Sequence, residues 1–223
     1  MIGFEWSIDG SEQRYCPLSI ARGSDKVVQF LLDSNESLED GSISTQNFKA
    51  AAYRASETLL DGRTLRIRPI RPSDKQALEQ GLEHLSAQSA YFRFFQRKTH
   101  FTAKELEYFT EVEFVNHVAL VASVLNDGLE DPAGVGRYIV LDNATTAKVA
   151  EIAFAVEDTY HGLGIATFLL KHLTAIAREN RIDYVQADVL TSNHNMLEVF
   201  ENSGLPVEQH LQGEVIEVLL RLS

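Results

Sequence analysis

Two neighbouring stretches of this chain hold residues that could do chemistry together. In Ala150-Glu151-Ile152-Ala153-Phe154-Ala155-Val156 one carboxylate interrupts an apolar run, and Tyr160-His161-Gly162-Leu163-Gly164-Ile165-Ala166-Thr167 follows closely. The first offers a proton acceptor, the second offers backbone. Glycines at 162 and 164 let the chain turn without Cβ clashes and approach a ligand. Where a helix starts at such a turn, its first amides have no intrahelical acceptor and the aligned peptide dipoles add partial positive charge. An anion of phosphate size fits there. The dinucleotide fingerprint needs a further glycine and an acidic residue ~20 positions on, and a Walker loop needs Lys-Ser/Thr; neither is present. By itself a G-x-G turn is as consistent with a structural role. On period-2 alternation Glu151, Ala153 and Ala155 share one strand face, and Ile152, Phe154 and Val156 share the other. Small residues beside Glu151 leave room for a ligand, the plain alternative being a solvated or Arg-paired strand carboxylate.

The rest of the 223 residues must position these groups. With 44% hydrophobic and 23% charged residues the composition is globular. Twenty basic against 32 acidic residues give a net charge of −12. Such a chain is a poor nucleic-acid binder, and its field favours a cationic partner such as an amine or a lysine-bearing protein surface. Cys16, the single cysteine, excludes an internal disulfide and a multi-thiolate metal site and fits a reducing compartment. The N-terminus lacks a signal-peptide pattern, and no run reaches the ~20 apolar residues of a membrane span. The expectation is a soluble cytoplasmic protein that binds neither nucleic acid nor membrane.

Residues 1–60 read as an N-terminal extension of unknown role, partly helical, with helices over 25–32 and 45–60 separated by a Ser/Asp/Glu/Gly-rich loop. From 61 to 223 the pattern tightens into one domain. A strand over 64–68 precedes a helix capped by Ser73 with Gln76 completing a capping box. Further helices are expected over 85–95 and from Thr102, with Glu105 in the box position. Strands follow over 118–122, 135–141 and 149–156, the last two joined by a hairpin connection at 142–146. Ile165, Leu169, Leu173 and Ile176 fall on one helical face. A strand over 184–190, a short helix over 195–202 stopped by Gly204, and an antiparallel pair over 207–211 and 215–222 complete the chain. The fold class is α+β: a mixed, mostly antiparallel sheet flanked by helices.

At this point a family likeness can be stated. Ala150 to Val156 followed by His161-Gly162-Leu163-Gly164-Ile165-Ala166 resembles the acyl-CoA motif of the GNAT superfamily of N-acetyltransferases, Gln/Arg-x-x-Gly-x-Gly/Ala. Gly164 and Ala166 match it, and His161 departs from it. Thr191-Ser192-Asn193-His194-Asn195-Met196, with Phe200 and Gly204, resembles the superfamily's next motif, whose Asn lies beside the cofactor. The segments around Arg63, Ile67 to Asp74 and Leu85 to Phe95 are similar to the acetyltransferase domain of bacterial protein lysine acetyltransferases. The cyclic-nucleotide-binding or synthetase-like regions usual in that group have no counterpart in residues 1–60.

The resemblance implies a GNAT fold, acetyl-CoA as cosubstrate and an amine acceptor, with a protein lysine as first expectation. It implies Glu151 as general base, main-chain groups near Phe154, Ala155 and Val156 pairing with the pantetheine arm, and amides of Gly162, Leu163, Gly164, Ile165, Ala166 and Thr167 on the pyrophosphate. His161 offers a ring N–H beside it. Asn193 is either a cofactor contact or a helix cap. Phe200 stands where many members carry a Tyr general acid, so no acid is assigned. No metal is expected, because the histidines lack metal-ligand spacing. His117 reads as core or surface, the alternative being that it faces the acceptor site; Tyr91, Phe92, Phe94 and Phe95 read as mainly core, the alternative being that they line the acceptor pocket; and Arg66, Arg68 and Arg71 read as a solvated strand edge. A small-molecule amine acetyltransferase, acting on an amino acid or polyamine, and a non-catalytic acyl-CoA-binding regulatory module are the competing expectations.

Overall fold

A computed structural model describes residues 50–142 and 147–223. Alternation builds the sheet: in β2 (Thr64–Pro69) Leu65 and Ile67 are buried while Thr64 and Arg66 face solvent. β2 pairs antiparallel with β1 (Ala55–Thr58) on one side and β3 (His117–Asn126) on the other. β3 turns directly into β4 (Leu129–Val140) through Asp127 and Gly128, both at positive φ (48° and 84°), as a tight hairpin requires. That Asp-Gly signal makes both strands longer than the sequence pattern suggested. β5 (Val149–Val156) pairs antiparallel with β4. β6 (Tyr184–Leu190), β7 (Val207–Gln212) and β8 (Val215–Arg221) complete an eight-stranded sheet of order β1-β2-β3-β4-β5-β6-β8-β7. Among the described residues only β5 and β6 run parallel. The α+β class and its mostly antiparallel sheet are as expected.

One face of the sheet carries α4 (Ile165–Glu179), whose Ile165, Leu169, Leu173 and Ile176 join the main core with Tyr138, Ile152 and Phe154. Close approach is set by Gly136: a Cβ there would stand 2.9 Å from Phe154 Cδ1 and 3.0 Å from Leu173 Cδ1. The opposite face carries α1 (Lys75–His84), α2 (Ala87–Phe94) and α3 (Ala103–Thr110), over a smaller cluster of Ile70, Ala119, Val121 and Val135. α5 (His194–Glu201) follows β6, and Gly204 (φ +75°) ends the turn after it. The Thr102–Glu105 capping box is present, with Glu105 N–H donating to Thr102 Oγ1 at 3.2 Å and Thr102 N–H to Glu105 Oε2 at 2.8 Å.

Four expectations need correction. Ala50 and Ala51 are helical, but Ala55–Thr58 of the helix expected over 45–60 is strand β1. Ladder pairing with β2 and burial of Leu59 outweigh the local helical pattern. The expected helix over 25–32, the loop after it, Cys16 and the connection at 143–146 lie outside the described residues. Ser73 is not the cap, since Pro72–Asp74 is a 3-10 turn. Asp74 accepts from Arg71 N–H at 2.8 Å and from both arms of the Arg68 guanidinium at 2.7 and 2.8 Å. Arg68 is therefore half-buried, not part of a solvated edge; Arg66 does lie exposed, paired with Glu130. Tyr91 is exposed and Phe92, Phe94 and Phe95 are only half-buried, because α2 covers a groove instead of a packed core.

Burial alone would push the Asp74 carboxyl up, but the Arg68 fork and the Arg71 amide outweigh it and hold its pKa below the ordinary value. Asp74→Asn should lower stability by ~1–3 kcal/mol in denaturant unfolding. Because the folded pKa is depressed, the carboxylate's contribution is full above about pH 4 and is lost as pH falls further. The stability gap between wild type and Asp74→Asn should therefore narrow below that pH.

Candidate functional site

Parallel pairing between β5 and β6 covers only Val149↔Tyr184, Ala150↔Val185 and Glu151↔Gln186. Beyond it β5 continues to Val156 and β6 to Leu190, while β5 stays paired with β4 as far as Val156. The strands thus splay, and one backbone edge of residues 152–156 faces a groove instead of a ladder partner. The groove has a volume of about 730 Å³. α2 overhangs it with Phe92, Arg93 and the C-cap residue Phe95, and α5 borders it with Met196, Val199 and Phe200.

At one end of the groove β5 runs through the short turn Asp158–Tyr160 into α4. Gly162 (φ +76°) and Gly164 (φ +88°) adopt the left-handed backbone that side chains rarely take, and Gly164 is the N-cap of α4. The amides that follow, on Ile165, Ala166 and Thr167, point into an anion-favouring helix start. His161, Gly162, Gly164, Ile165, Ala166 and Thr167 all line the groove. Leu163 does not; its side chain packs against the main core, and Ile165 is 1% exposed within it. The His161 ring N–H donates to the Val156 carbonyl at 3.0 Å, and the same nitrogen lies 3.4 Å from Asp158 Oδ1. The ring thereby ties the end of β5 to the turn. The ring N–H that the sequence offered to a ligand has a protein acceptor here.

At the other end Glu151, 6% exposed, lines the groove where the strands part. It is buried and engaged with surrounding groups, which removes the solvated-carboxylate alternative. Ala153 and Ala155 share its face, and Phe154 on the other face packs toward Phe200, their ring centroids 6.1 Å apart. Asn193 is the cap of α5, its Oδ1 accepting the Met196 N–H at 3.3 Å, and the residue also lines the groove. Phe200 is 1% exposed and supplies no proton.

Asp188 was missed by sequence reasoning. It lies two residues past the last parallel pair, on the face of Gln186 and Glu151, and lines the groove. Although it opens onto the groove, enough protein surrounds its carboxyl to push its pKa above the ordinary value. Across the ladder is Glu217, raised by burial and then by the charge of Asp188. Period-2 alternation in β6 was the available signal. His117 is buried, and its Nε2 lies 3.2 Å from Arg137 Nη1. Among the described residues no His, Cys, Asp or Glu group could hold a metal ion, and no helix is long and apolar enough to cross a membrane.

Comparison with known proteins bears on the family and the fold. A model of the acetyltransferase (GNAT) family matches residues 82–205. An acetyltransferase of Pseudomonas aeruginosa is 32% identical over 124 residues, 56% of this chain and 65% of its own. Acetyltransferase Pat of Mycolicibacterium smegmatis is 31% identical over 138 residues, 62% of this chain and 40% of its own. The chain thus spans less than two thirds of either relative. The crystal structure of the GNAT domain of S. lividans PAT superposes with a TM-score of 0.68 at 33% identity, covering 75% of this chain and 96% of that one. A splayed β5–β6 pair ending on a glycine-capped helix, with a matching family model across more than half the sequence, places the chain in the acetyltransferase (GNAT) family.

Proposed function

We propose that this protein transfers the acetyl group of acetyl-CoA to a primary amine, the Nε of a protein lysine. The observation that carries the reading is the splay of β5 from β6, with helix amides at one end of the opening and a buried carboxylate at the other. Backbone N–H and C=O groups of Phe154, Ala155 and Val156 hold the pantetheine arm as an added strand would be held. Amides of residues 162–167 hold the pyrophosphate, aided by a dipole of about half a charge. When bound, acetyl-CoA supplies an acetyl group activated as a thioester. A lysine amine of pKa about 10.4 is mostly ammonium at neutral pH, so Glu151 acts as the general base that removes its proton, directly or through water. A main-chain N–H at the splay stabilises developing charge on the carbonyl oxygen. A thiol of pKa about 8.5 leaves readily, which suits Phe200 at the position of a general acid. Asp188, on the face of Glu151, adds negative charge that favours a cationic acceptor. A cytoplasmic setting belongs to this reading and rests on composition alone.

Glu151→Gln should cut acetyl transfer by ~10²–10⁴ while coenzyme A affinity stays within about threefold. Equal turnover in the two proteins, measured as free thiol released, would remove Glu151 from the mechanism. Gly164→Val places a β-branched residue at φ +88°, a conformation it strongly disfavours, and should abolish coenzyme A binding in calorimetry. Retained binding would overturn the pyrophosphate assignment. With protein, polyamine and amino-acid acceptors in parallel, turnover confined to protein lysines is expected. Turnover confined to small amines would shift the acceptor class, and micromolar binding without any turnover would make the protein a sensor.

A further inference from the structure

On the sheet face covered by α1, α2 and α3 lies a second cavity, of about 100 Å³. Leu85, Arg93 and Ala155 line both this cavity and the groove, so the two spaces adjoin beside β5. Its walls are mostly apolar, with Leu78, Leu82, Phe101 and Val121 among them. Against them sits Arg137, 3% exposed and directly across the ladder from Ala153. Its Nη1 donates to the Phe109 carbonyl at 3.3 Å and to His117 Nε2 at 3.2 Å, and its guanidinium carbon lies 4.4 Å from the Phe109 ring centroid.

Every one of these partners is uncharged. Burial, and then the charge of Arg137, pulls the His117 pKa down to about 3, so its ring is neutral at working pH. Among the described residues Arg137 makes no ion pair, whereas Arg63, Arg66 and Arg68 each do. Of the acids that line the cavity, Asp74 is engaged by Arg68, and Glu157 accepts from Thr159 Oγ1 at 3.2 Å with His84 3.5 Å away. Burial first, and then Arg93, lower the Arg137 pKa to about 9, which still leaves it cationic. A buried charge beside a second cation and without a counter-charge is expensive to keep, unless something that visits the cavity compensates it.

We propose that this cavity receives the tail of an acyl group that ends in a carboxylate, so that the groove accepts a short dicarboxylic acyl-CoA. Size selects this occupant. A cavity of about 150 Å³ takes benzene, so 100 Å³ suits about four or five heavy atoms. That matches the four or five atoms beyond the thioester carbonyl of a malonyl or succinyl group and is too small for any amino acid larger than glycine. Ala153 and Ala155 present only methyl groups on the face they share with Arg137. The inference rests on the acyl-transfer reading above and keeps its chemistry. The amine nitrogen bonds to the carbonyl carbon and the C–S bond breaks. Of the two protons the ammonium loses, one passes through Glu151 to solvent and the other ends on the departing thiolate. The distal carboxylate is unchanged.

Succinyl-CoA and butyryl-CoA have equal carbon number and differ at the distal carboxylate, so calorimetry on the intact chain reads what that carboxylate contributes. Wild type should bind succinyl-CoA at least about tenfold more tightly. Arg137→Met should bring the two to parity, and Arg93→Gln tests the same field if that variant does not fold. A Cβ at Gly81, which lines the cavity, meets nothing within 4 Å. Gly81→Leu should therefore fill the space, weakening succinyl-CoA about tenfold while acetyl-CoA stays within about threefold. Equal or tighter binding of butyryl-CoA by wild type overturns the inference and leaves acetyl transfer standing. If no thioester binds, acetyl-CoA included, the preceding reading fails and this one falls with it.

Discussion

After Glu151 and Gln186 the parallel pair of β5 and β6 stops pairing, although both strands continue. A backbone edge left inside a protein must find partners for its N–H and C=O groups, because an unpaired buried amide is costly. Here that edge spans residues 152–156 and opens onto a groove wide enough for an extended ligand arm. Phe154 and Phe200, both buried with ring centroids 6.1 Å apart, line the opening. The interrupted ladder thus leaves a strand edge of the kind that strand addition uses.

The opening has two electrically opposite ends. Helix amides and glycines at positive φ make the α4 end attractive to anions, and this needs no basic side chain. Glu151 and Asp188 make the far end attractive to cations, in keeping with a chain of net charge −12. Strand β4 serves both faces at once. Gly136 admits Leu173 and Phe154 on the α4 side, and its neighbour Arg137 projects a buried charge to the other side. Alternation along one strand therefore links close helix packing to the electrostatics of the second cavity.

The local patterns were legible where local physics decides. The alternation in 149–156, the amphipathic face of α4, the glycines before it and the Thr102–Glu105 box each follow from residues close in sequence. Asp127-Gly128 was equally legible, as both residues take positive φ, and reading it would have extended β3 and β4. Local pattern misled at Ala55–Thr58, where pairing with β2 replaced a helix, and at Ser73, where the Arg68 fork made Asp74 the anchor. Both depend on partners that periodicity does not weigh.

The sequence by itself determined which residues could bind an anion, which strand carried the carboxylate, and that the sheet would be mixed and mostly antiparallel. Those properties reside in side-chain type and short spacing. Only the tertiary structure decided that β5 parts from β6 at Glu151, that the His161 N–H turns to Val156 and that Asn193 both caps α5 and lines the groove. It alone also brought Asp188 to the groove and left Arg137 buried among neutral partners. Each of these is a relation between segments distant in the chain, fixed by strand register and packing, and neither composition nor period encodes it.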